Sequence, residues 1–361
     1  MNEIWATMIV RNEARVIERC IKAAADKIDG FVIFDTGSTD DTIAKIEEIK
    51  EQLKLNIICK QRKWINFGEN RTEVFNFART IAECKYMLVL DADDILEGKF
   101  DKTHEMDVGN MLVKTDGLQH VHRRLFNTKF DWKYVGAVHE YPMTCGEHAG
   151  TEKEEMITSA WINHVGDGGS HDDETQKSEE YLRLLESENQ SDPRTIFYIA
   201  QTLRGMGRLD EAREKYAQRL TMGGYKQEII ISMLSIARIQ YMLGKVEDAL
   251  LWYIKTYEAD ADRSEALNGI VKISKQYNMF NLGLWAGKKL IKLEKTKVDT
   301  ASKLFYEGSK IDEHVMMDIG LCAYYAVSPD TKTAKKMWKI IVNTGIDKIN
   351  VGQAKKNLMW V

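Results

Sequence analysis

Three carboxylates follow a short apolar run, where the segment YMLVL at residues 86–90 leads into DADD at residues 91–94. Five consecutive apolar residues predict a strand that is buried on both faces, as in the centre of a parallel sheet. Ligands of open α/β sheets bind at the carboxyl ends of the strands. Asp91 and Asp93 therefore predict a site for one divalent cation with hard oxygen ligands, although the same tripeptide is also common in solvated turns.

Two further strand patterns end on polar or acidic residues. Residues 4–10 are followed by Arg-Asn-Glu at 11–13, and residues 31–34 are followed by Asp35. If these strands are parallel, their carboxyl ends meet at one edge of the sheet. Acids at that edge could bind a cation and ribose hydroxyls, and Asp35 could accept a hydrogen bond from a base. Arg71 could donate two parallel hydrogen bonds from its guanidinium group to a phosphate.

The elements that must position these side chains form a strand–helix alternation. Apolar residues recur at helical spacing in residues 17–24, 43–53 and 74–81, and residues 55–59 predict one more strand. Strands joined by crossover helices pair in parallel. We therefore expect a mostly parallel, helix-covered α/β sheet in the first half of the chain.

Composition limits the class of protein. The chain has 361 residues, of which 29% are charged and 44% hydrophobic, and its net charge of −4 gives no general attraction to nucleic acid or anionic membranes. Its five cysteines are scattered and include no Cys-x-x-Cys pair, which disfavours a disulfide framework or a zinc ribbon. No apolar run approaches the ~20 residues that span a bilayer, and no secretory signal pattern begins the sequence. We expect a cytoplasmic location and no transmembrane segment.

Two other enzyme classes share parts of these patterns. The tetrapeptide DTGS at 35–38 also occurs in aspartic proteases, but those need two copies on a β-rich scaffold, and here one copy is flanked by helices. A nucleotidyltransferase usually has a glycine-rich loop after its first strand, and the segment RNEARVIERC at 11–20 contains no glycine. Both classes are therefore disfavoured.

The second half, from about Pro193, has helical periodicity throughout and an internal repeat. Small residues occur in pairs 12 positions apart, and the first three pairs begin 37 residues apart. Gly207, Gly244 and Asn281 keep the same step and are expected at the turns between paired helices. This pattern is typical of tetratricopeptide-type hairpins with a longer step than the usual ~34 residues. The pairs are Ala200 and Ala212, Ala237 and Ala249, Ser274 and Ala286, and Cys322 and Ala334.

Several segments together resemble family 2 glycosyltransferases with the GT-A nucleotide-sugar fold. The first half of the resemblance lies in MIVRNEARVIERCI, VIFDTGSTDDT and LVLDADDIL. It continues through FGENRTEVFNFA at 67–78, which departs from the family at Thr72, where Asn is usual. The segment RRLFNTKFDWKYVGAVHE at 123–140 resembles a subgroup with helical repeats behind the catalytic domain, and INHVGDGGSH at 162–171 resembles its His-x-Gly element. The ordered match covers roughly residues 4–220.

The resemblance implies an inverting transfer of a sugar from a nucleotide-diphosphate donor, most often a UDP-sugar such as UDP-glucose, with Mn²⁺ or Mg²⁺. It implies that Asp35 binds the base, that Asp91 meets the ribose or the metal, and that Asp93 coordinates the ion. The wider nucleotide-binding set that it implies is Val10, Arg11, Glu13, Asp35, Arg71, Asp91 and Ala92. The expected domains are residues 1–175 for catalysis and 176–361 for the repeats.

An inverting transfer also needs a base that takes a proton from the acceptor hydroxyl or thiol. His139 and Glu140 are the candidate pair, with Glu140 favoured as the base and a purely structural acid as its alternative. His164 is a candidate third metal ligand, or else a hinge histidine without metal. His120 and His122, two apart on a predicted strand, are read as ordinary sheet residues.

The sequence thus predicts a metal-dependent glycosyltransferase whose acceptor is a protein, a saccharide, a lipid or a modified nucleobase. The alternative is a helical-repeat scaffold whose sugar-nucleotide domain is catalytically degenerate. The repeats could hold an acceptor on a concave surface, form a homodimer or brace the catalytic half. The glycine-rich segment at 166–174 is expected to be a lid over the donor, or otherwise a linker.

Overall fold

The computed structural model describes residues 3–81, 84–100, 103, 105–115, 118–147, 149–168, 174–296, 303–304, 311–344 and 347–361. The chain forms two compact units, Met1–Asn189 and Gln190–Val361. The division lies between residues 189 and 190 rather than between 175 and 176. The helix that begins at Glu174 belongs to the first unit, where the ring of Tyr181 packs edge-on against Phe67 at a centroid distance of 5.8 Å.

The first unit is a mixed sheet with helices on both faces. Its strands are β1 (Ile4–Val10), β2 (Gly30–Asp35), β3 (Ile57–Gln61), β4 (Tyr86–Val89), β5 (Asp94–Gly98), β6 (Val108–Thr115), β7 (Leu118–Asn127), β8 (Asp131–Val135), β9 (Tyr141–Cys145) and β10 (Glu154–His164). Its helices are α1 (Ile17–Ala24), α2 (Thr42–Leu53), α3 (Phe67–Ile81) and α4 (Glu174–Ser187).

The main sheet has the strand order β3-β2-β1-β4-β7-β6-β10-β5, and β8 and β9 form a separate hairpin. The four strands β3, β2, β1 and β4 are parallel, as the strand–helix alternation predicted. Beyond β4 the sheet is mixed, because β7 runs antiparallel to both β4 and β6 while β10 is parallel to β6. Strands joined by a short connection, as β6 and β7 are, can only pair in the antiparallel sense. The third strand also begins two residues later than expected, at Ile57.

Alternating side chains of the central strands supply two separate cores. Phe31 and Ile33 of β2 join a cluster with α1 and α2, whereas Val32 and Phe34 join a cluster with α3 on the other face. Every residue of β2 is buried, including Asp35 at its end. This is the reason why the apolar runs in the sequence are continuous rather than alternating.

The second unit is a stack of helix hairpins. Its helices are α5 (Pro193–Gly205), α6 (Leu209–Thr221), α7 (Lys226–Met242), α8 (Val246–Ala259), α9 (Ser264–Gln276), α10 (Phe280–Leu293), α11 (Glu313–Tyr325), α12 (Thr331–Thr344) and α13 (Lys348–Asn357). The residues of all four predicted pairs are fully buried where the two helices of a hairpin meet, which confirms the repeat.

The turns of the hairpins follow the repeat with one exception. Gly207 and Gly244 have φ angles of 76° and 74°, in the left-handed region where glycine carries no steric cost. The third hairpin uses Asn278, with φ of 59°, and not the predicted Asn281. The reason is that α10 begins at Phe280, so Asn281 already lies inside the helix.

A cavity of about 700 Å³ opens within the second unit. It is bordered mainly by α9 and the first half of α11. Its basic side chains include Arg238, Lys272 and Lys275, and its acidic ones include Asp312 and Asp318. Lys275 Nζ lies 3.6 Å from Asp318 Oδ1 across this opening.

Asp330 connects two hairpins of the second unit and is expected to make the stability pH-dependent. Its carboxylate binds Lys288 Nζ at 2.8 Å and accepts a hydrogen bond from Thr333 N at 3.0 Å, and these contacts lower its pKa to about 2. A depressed pKa contributes stability above the unfolded-state value, and this contribution is lost as the pH falls. We expect Asp330→Ala to lower the free energy of unfolding by about 1 kcal/mol at neutral pH and by less near pH 3, after allowance for solvent screening.

Urea unfolding at about pH 6 and about pH 3 measures this difference. Asp210→Ala is the matched control, because its partner Arg213 is on the same helix and its side chain is 66% exposed. An equal loss of stability for Asp330→Ala at both pH values would mean that its charge contributes nothing.

Candidate active site

The acidic segment after β4 forms a closed turn at the carboxyl edge of the sheet. Asp91 N donates to Asp94 Oδ2 at 2.9 Å, and Asp94 N donates to Asp91 O at 3.1 Å. Asp93 is 7% exposed and Asp94 is fully buried. The turn therefore holds three acids in a small volume, which is costly unless cations or hydrogen bonds compensate for their charge.

Arg71 from α3 links two of the predicted site residues. Its Nη2 lies 2.6 Å from Asp91 Oδ1, and its Nε lies 2.6 Å from Glu140 Oε1. Glu140 comes from the segment just before β9, so three distant parts of the chain meet here. Burial disfavours the charged guanidinium, but Asp91 and Glu140 outweigh it and raise the pKa of Arg71.

Arg124 is a second half-buried cation that the sequence predictions missed. Its Nη1 lies 3.2 Å from Asp91 Oδ2 and 3.4 Å from Asp94 Oδ2. Alternation along β7 could not have found it, because the register with β6 shifts between Arg123 and Leu125 and the simple alternation of faces is interrupted there. Pairing of β7 with β4 places Arg124 next to the acidic turn, where it contacts Asp91.

His164 at the end of β10 completes the cluster. Its Nδ1 lies 2.9 Å from Asp94 Oδ1 and 3.6 Å from Asp93 Oδ1. One potential ligand atom from each of Asp91, Asp94 and His164 falls within 4.8 Å of the others. This group contains two of the three predicted ligands, Asp91 and His164, and has Asp94 where Asp93 was predicted, while Asp93 lies 3.6 Å from His164 Nδ1.

The electrostatics of the cluster differ from one acid to the next. Burial raises the pKa of Asp91, but the charges of Arg71 and Arg124 outweigh it and hold the pKa far below its usual range. Burial, together with the nearby charges of Asp94 and Asp91, raises the pKa of Asp93 despite the opposing effect of His164. The hydrogen bond to Asp94 raises the pKa of His164.

The donor set fits a divalent cation. Four carboxylates (Asp91, Asp93, Asp94 and Glu140) face two guanidinium groups, which leaves two negative charges when His164 is neutral. Carboxylate oxygens suit Mg²⁺ and Mn²⁺, and an imidazole is also acceptable to Mn²⁺. The residues present therefore match the expected metal in both charge and ligand chemistry.

One carboxylate oxygen of Asp35 is buried and accepts no hydrogen bond from the described residues. Its Oδ1 accepts hydrogen bonds from Gly37 N at 3.1 Å and Ser38 N at 3.0 Å. Its Oδ2 is buried and has no hydrogen-bond partner among the described residues. Such a group carries a desolvation cost that a ligand N–H donor would remove.

The residues after β1 form a loop that is tied to the loop after β2. Asn12, with φ of 57°, donates its N–H to Ser38 Oγ at 2.9 Å, and Glu13 N donates to Thr42 Oγ1 at 2.7 Å. Val10 is buried beside Asp35 in the sheet register, and Arg11 is exposed. The predicted nucleotide-binding main chain is thus adjacent to Asp35.

The loop at residues 165–168 covers the acidic cluster. Asp167 is held by Arg19, with two contacts of 2.5 and 3.0 Å, and its carbonyl accepts from Arg15 Nη2 at 2.7 Å. A Cβ on Gly168 would stand 2.9 Å from a Glu13 carboxylate oxygen and 3.4 Å from Asp93 Oδ2. A larger residue at position 168 would therefore crowd the Glu13 and Asp93 carboxylates. Residues 169–173 of the predicted lid lie outside the described residues.

The other residues considered in the sequence analysis are His139, His120, His122 and Thr72. His139 is exposed, has φ of 53° and faces the Tyr181 ring edge-on at a centroid distance of 6.3 Å. The rings of His120 and His122 lie 4.6 Å apart, and the metal-capable cluster found among the described residues does not include them. Thr72 Oγ1 accepts from Tyr134 N at 2.8 Å, so its hydroxyl serves the packing of α3 against β8.

Residues 6–103 match the protein family described as Glycosyl transferase family 2. A TPR repeat-containing protein of Synechococcus elongatus is 24% identical over 301 residues, which cover 77% of this chain and 71% of that protein. The glycosyltransferase SunS of Bacillus subtilis is 26% identical over 231 residues, or 58% of this chain and 51% of SunS. The match to a crystal structure of S. aureus TarS 1-349 covers 73% of this chain and 90% of that crystallised chain, at 13% identity and a TM-score of 0.35.

These findings define the class of protein to which the site belongs. The chain carries a family 2 glycosyltransferase domain, and TPR-like helical repeats follow it, as the sequence predicted. It spans about half the length of SunS. Among the helices of the described ranges, none combines the length and apolar character needed to cross a bilayer.

Proposed function

We propose that the first unit transfers a sugar, with inversion, from a UDP-sugar to an acceptor and uses Mn²⁺ or Mg²⁺. The observation that carries this proposal is the placement of Asp35 Oδ2 and the Asp91–Asp94 turn at one sheet edge. The strands that bear them flank β1 on either side, which puts them about 10 Å apart at the spacing of neighbouring strands. A nucleoside diphosphate can span that distance, with its base at Asp35 and its phosphates at the turn.

Each residue has a role in this proposal. Asp35 accepts the base N–H, and Asp91 is held by Arg71 and Arg124 in position to meet the ribose or the ion. Asp93 and His164 would hold the metal ion. When bound, the ion supplies Lewis-acid stabilisation of the charge that develops on the departing diphosphate.

Glu140 is the proposed base for the acceptor. It lies on the acidic cluster's rim, and its contact with Arg71 keeps its carboxylate oriented. Of the candidate pair, Glu140 is preferred to His139, because His139 is exposed and turned toward the Tyr181 ring. The proton would pass from the acceptor hydroxyl or thiol to a Glu140 oxygen as the new glycosidic bond forms.

Calorimetric titration with UDP and CDP, each with and without Mn²⁺, tests the donor assignment through Asp35. The N3–H of uracil can donate to Asp35 Oδ2, whereas cytosine has an acceptor at that position. We expect the protein to bind UDP more tightly than CDP. We expect Asp35→Asn to weaken UDP binding by about 10- to 100-fold and to reduce the ratio of UDP affinity to CDP affinity.

Asp41→Asn is the matched control, because it lies in the same loop, is exposed and makes no capping hydrogen bond. Equal affinity of the unaltered protein for UDP and CDP would contradict the role of Asp35. Absence of any metal-linked nucleotide binding would instead favour the scaffold alternative, in which the repeats are the working part.

A further inference from the structure

Asp94 is the fully buried acid of the turn after β4, and the proposed function gives it no role. It begins β5 and stands opposite His164 in the antiparallel register of β5 and β10. Its side chain is fully buried, yet it has three polar contacts. These are Asp91 N at 2.9 Å, His164 Nδ1 at 2.9 Å and Arg124 Nη1 at 3.4 Å.

The contact with His164 selects one form of the imidazole. A carboxylate can only accept, so its hydrogen bond places the proton of a neutral ring on Nδ1 and leaves the Nε2 lone pair available. Metal-ligating histidines usually donate their second ring N–H to a carboxylate or carbonyl in this way.

The free nitrogen of His164 faces the loop that covers the cluster. A Cβ on Gly166 would stand 4.0 Å from His164 Nε2, and a Cβ on Gly168 would stand 3.4 Å from Asp93 Oδ2. Nε2 therefore lies toward Gly166 and Asp93 Oδ2 toward Gly168, two glycines of the same loop. Asp94 lies on the opposite side of the ring, at Nδ1.

Asp94 also holds Asp91. Its Oδ2 accepts from the Asp91 main chain and lies beside Arg124, whose Nη1 contacts Asp91 Oδ2 at 3.2 Å. One carboxylate thus determines the position of a main-chain turn, a guanidinium and an imidazole. All three of these partners are donors from the protein, which leaves Asp94 poorly placed to ligate an ion as well.

We propose that Asp94 is a positioning residue: it orients His164 with Nδ1–H toward itself and Nε2 toward the ion, and it is not itself a metal ligand. The part of this proposal that concerns the ion rests on the proposed function. The part that concerns the tautomer of His164 depends only on the contacts within the metal-free protein.

¹⁵N NMR of the histidine side chains tests the tautomer in metal-free protein, at a pH where His164 is neutral. The resonance is assigned by its loss in His164→Gln. We expect the Nδ1–H form in the unaltered protein and a shift toward Nε2–H in Asp94→Ala. Asp94→Asn keeps an acceptor oxygen and should retain more of the Nδ1–H form, and it is the second variant if Asp94→Ala does not fold.

Glu97→Gln is the matched control, because Glu97 is on the same strand and accepts from Trp161 Nε1 of β10 at 2.8 Å, away from the cluster. This variant should leave the tautomer unchanged. A neutral Nε2–H ring in the unaltered protein, or an unchanged tautomer in both Asp94 variants, would overturn the proposal.

Metal affinity supplies the second readout. We expect Asp94→Ala to weaken Mn²⁺ binding by about 10- to 100-fold, as other outer partners of metal ligands do. Mg²⁺ added to the unaltered protein should perturb Nε2 and leave the Nδ1 proton in place, whereas loss of that proton would show Asp94 to be a direct ligand. If the unaltered protein binds no Mn²⁺, the proposed function fails, while the tautomer result stands independently.

Discussion

Glu140→Gln is expected to lower kcat by about 10²–10⁴-fold while UDP affinity stays nearly unchanged. The amide can still accept from Arg71 Nε, so the contact at 2.6 Å and the position of Arg71 are preserved. It cannot take a proton from the acceptor, so only the chemical step loses its base. Steady-state release of UDP, combined with calorimetric UDP affinity, separates the two effects.

The control for this experiment is Glu69→Gln, an exposed acid two positions from Arg71 on the same helix. It should change neither quantity. A parallel loss of UDP affinity and kcat in Glu140→Gln would show that Glu140 is a structural acid that holds Arg71, which is the alternative reading of this residue.

Asp93→Asn is expected to abolish metal-stimulated turnover without weakening the fold. Burial and the neighbouring acids raise the pKa of Asp93, so the ionised carboxylate is less favourable in the folded chain than in the unfolded one. Removing the charge should therefore leave the Tm of the metal-free protein equal or higher. The same change removes a metal ligand, whose loss we expect to cost about 10²-fold or more in turnover.

The two measurements are the thermal unfolding of metal-free protein and the turnover with increasing Mn²⁺. Asp131→Asn is the control, because that acid pairs with Arg79 at the surface and is 63% exposed. Retained Mn²⁺ stimulation in Asp93→Asn would remove this residue from the ion site. A marked fall in its Tm would show that the carboxylate stabilises the fold and is not under electrostatic strain.

The repeat in the second unit could be predicted from the sequence because it depends on local periodicity. Small residues 12 positions apart must meet where two helices of a hairpin cross, and Ala200 and Ala212 do so with no exposed surface. Asn278 shows the limit of this inference. The place where a helix begins depends on packing within the hairpin, so a turn can move by three residues while the buried pairs stay in step.

The parallel half of the sheet could also be predicted from the sequence. The same patterns predicted the sheet edge at which Asp35 and Asp91 lie. Strands that are buried on both faces need continuous apolar runs, and crossover helices make their directions agree. Beyond β4 the prediction of a mostly parallel sheet was too simple. The pairing of β7 with β4 joins residues far apart in the chain, and such a long-range pairing leaves no periodic signal in the sequence.

By itself, the sequence determined the two-part architecture, the acidic strand end and the family resemblance, because each of these depends on residues that are close together in the chain. Tertiary structure alone decided that Arg124 lies between Asp91 and Asp94, that Arg71 joins Asp91 to Glu140, and that Asp94 holds His164. The last contact joins residues 70 positions apart. Charges so far apart in sequence come within hydrogen-bonding distance only because the sheet register and helix packing bring them there, and no local pattern encodes that meeting.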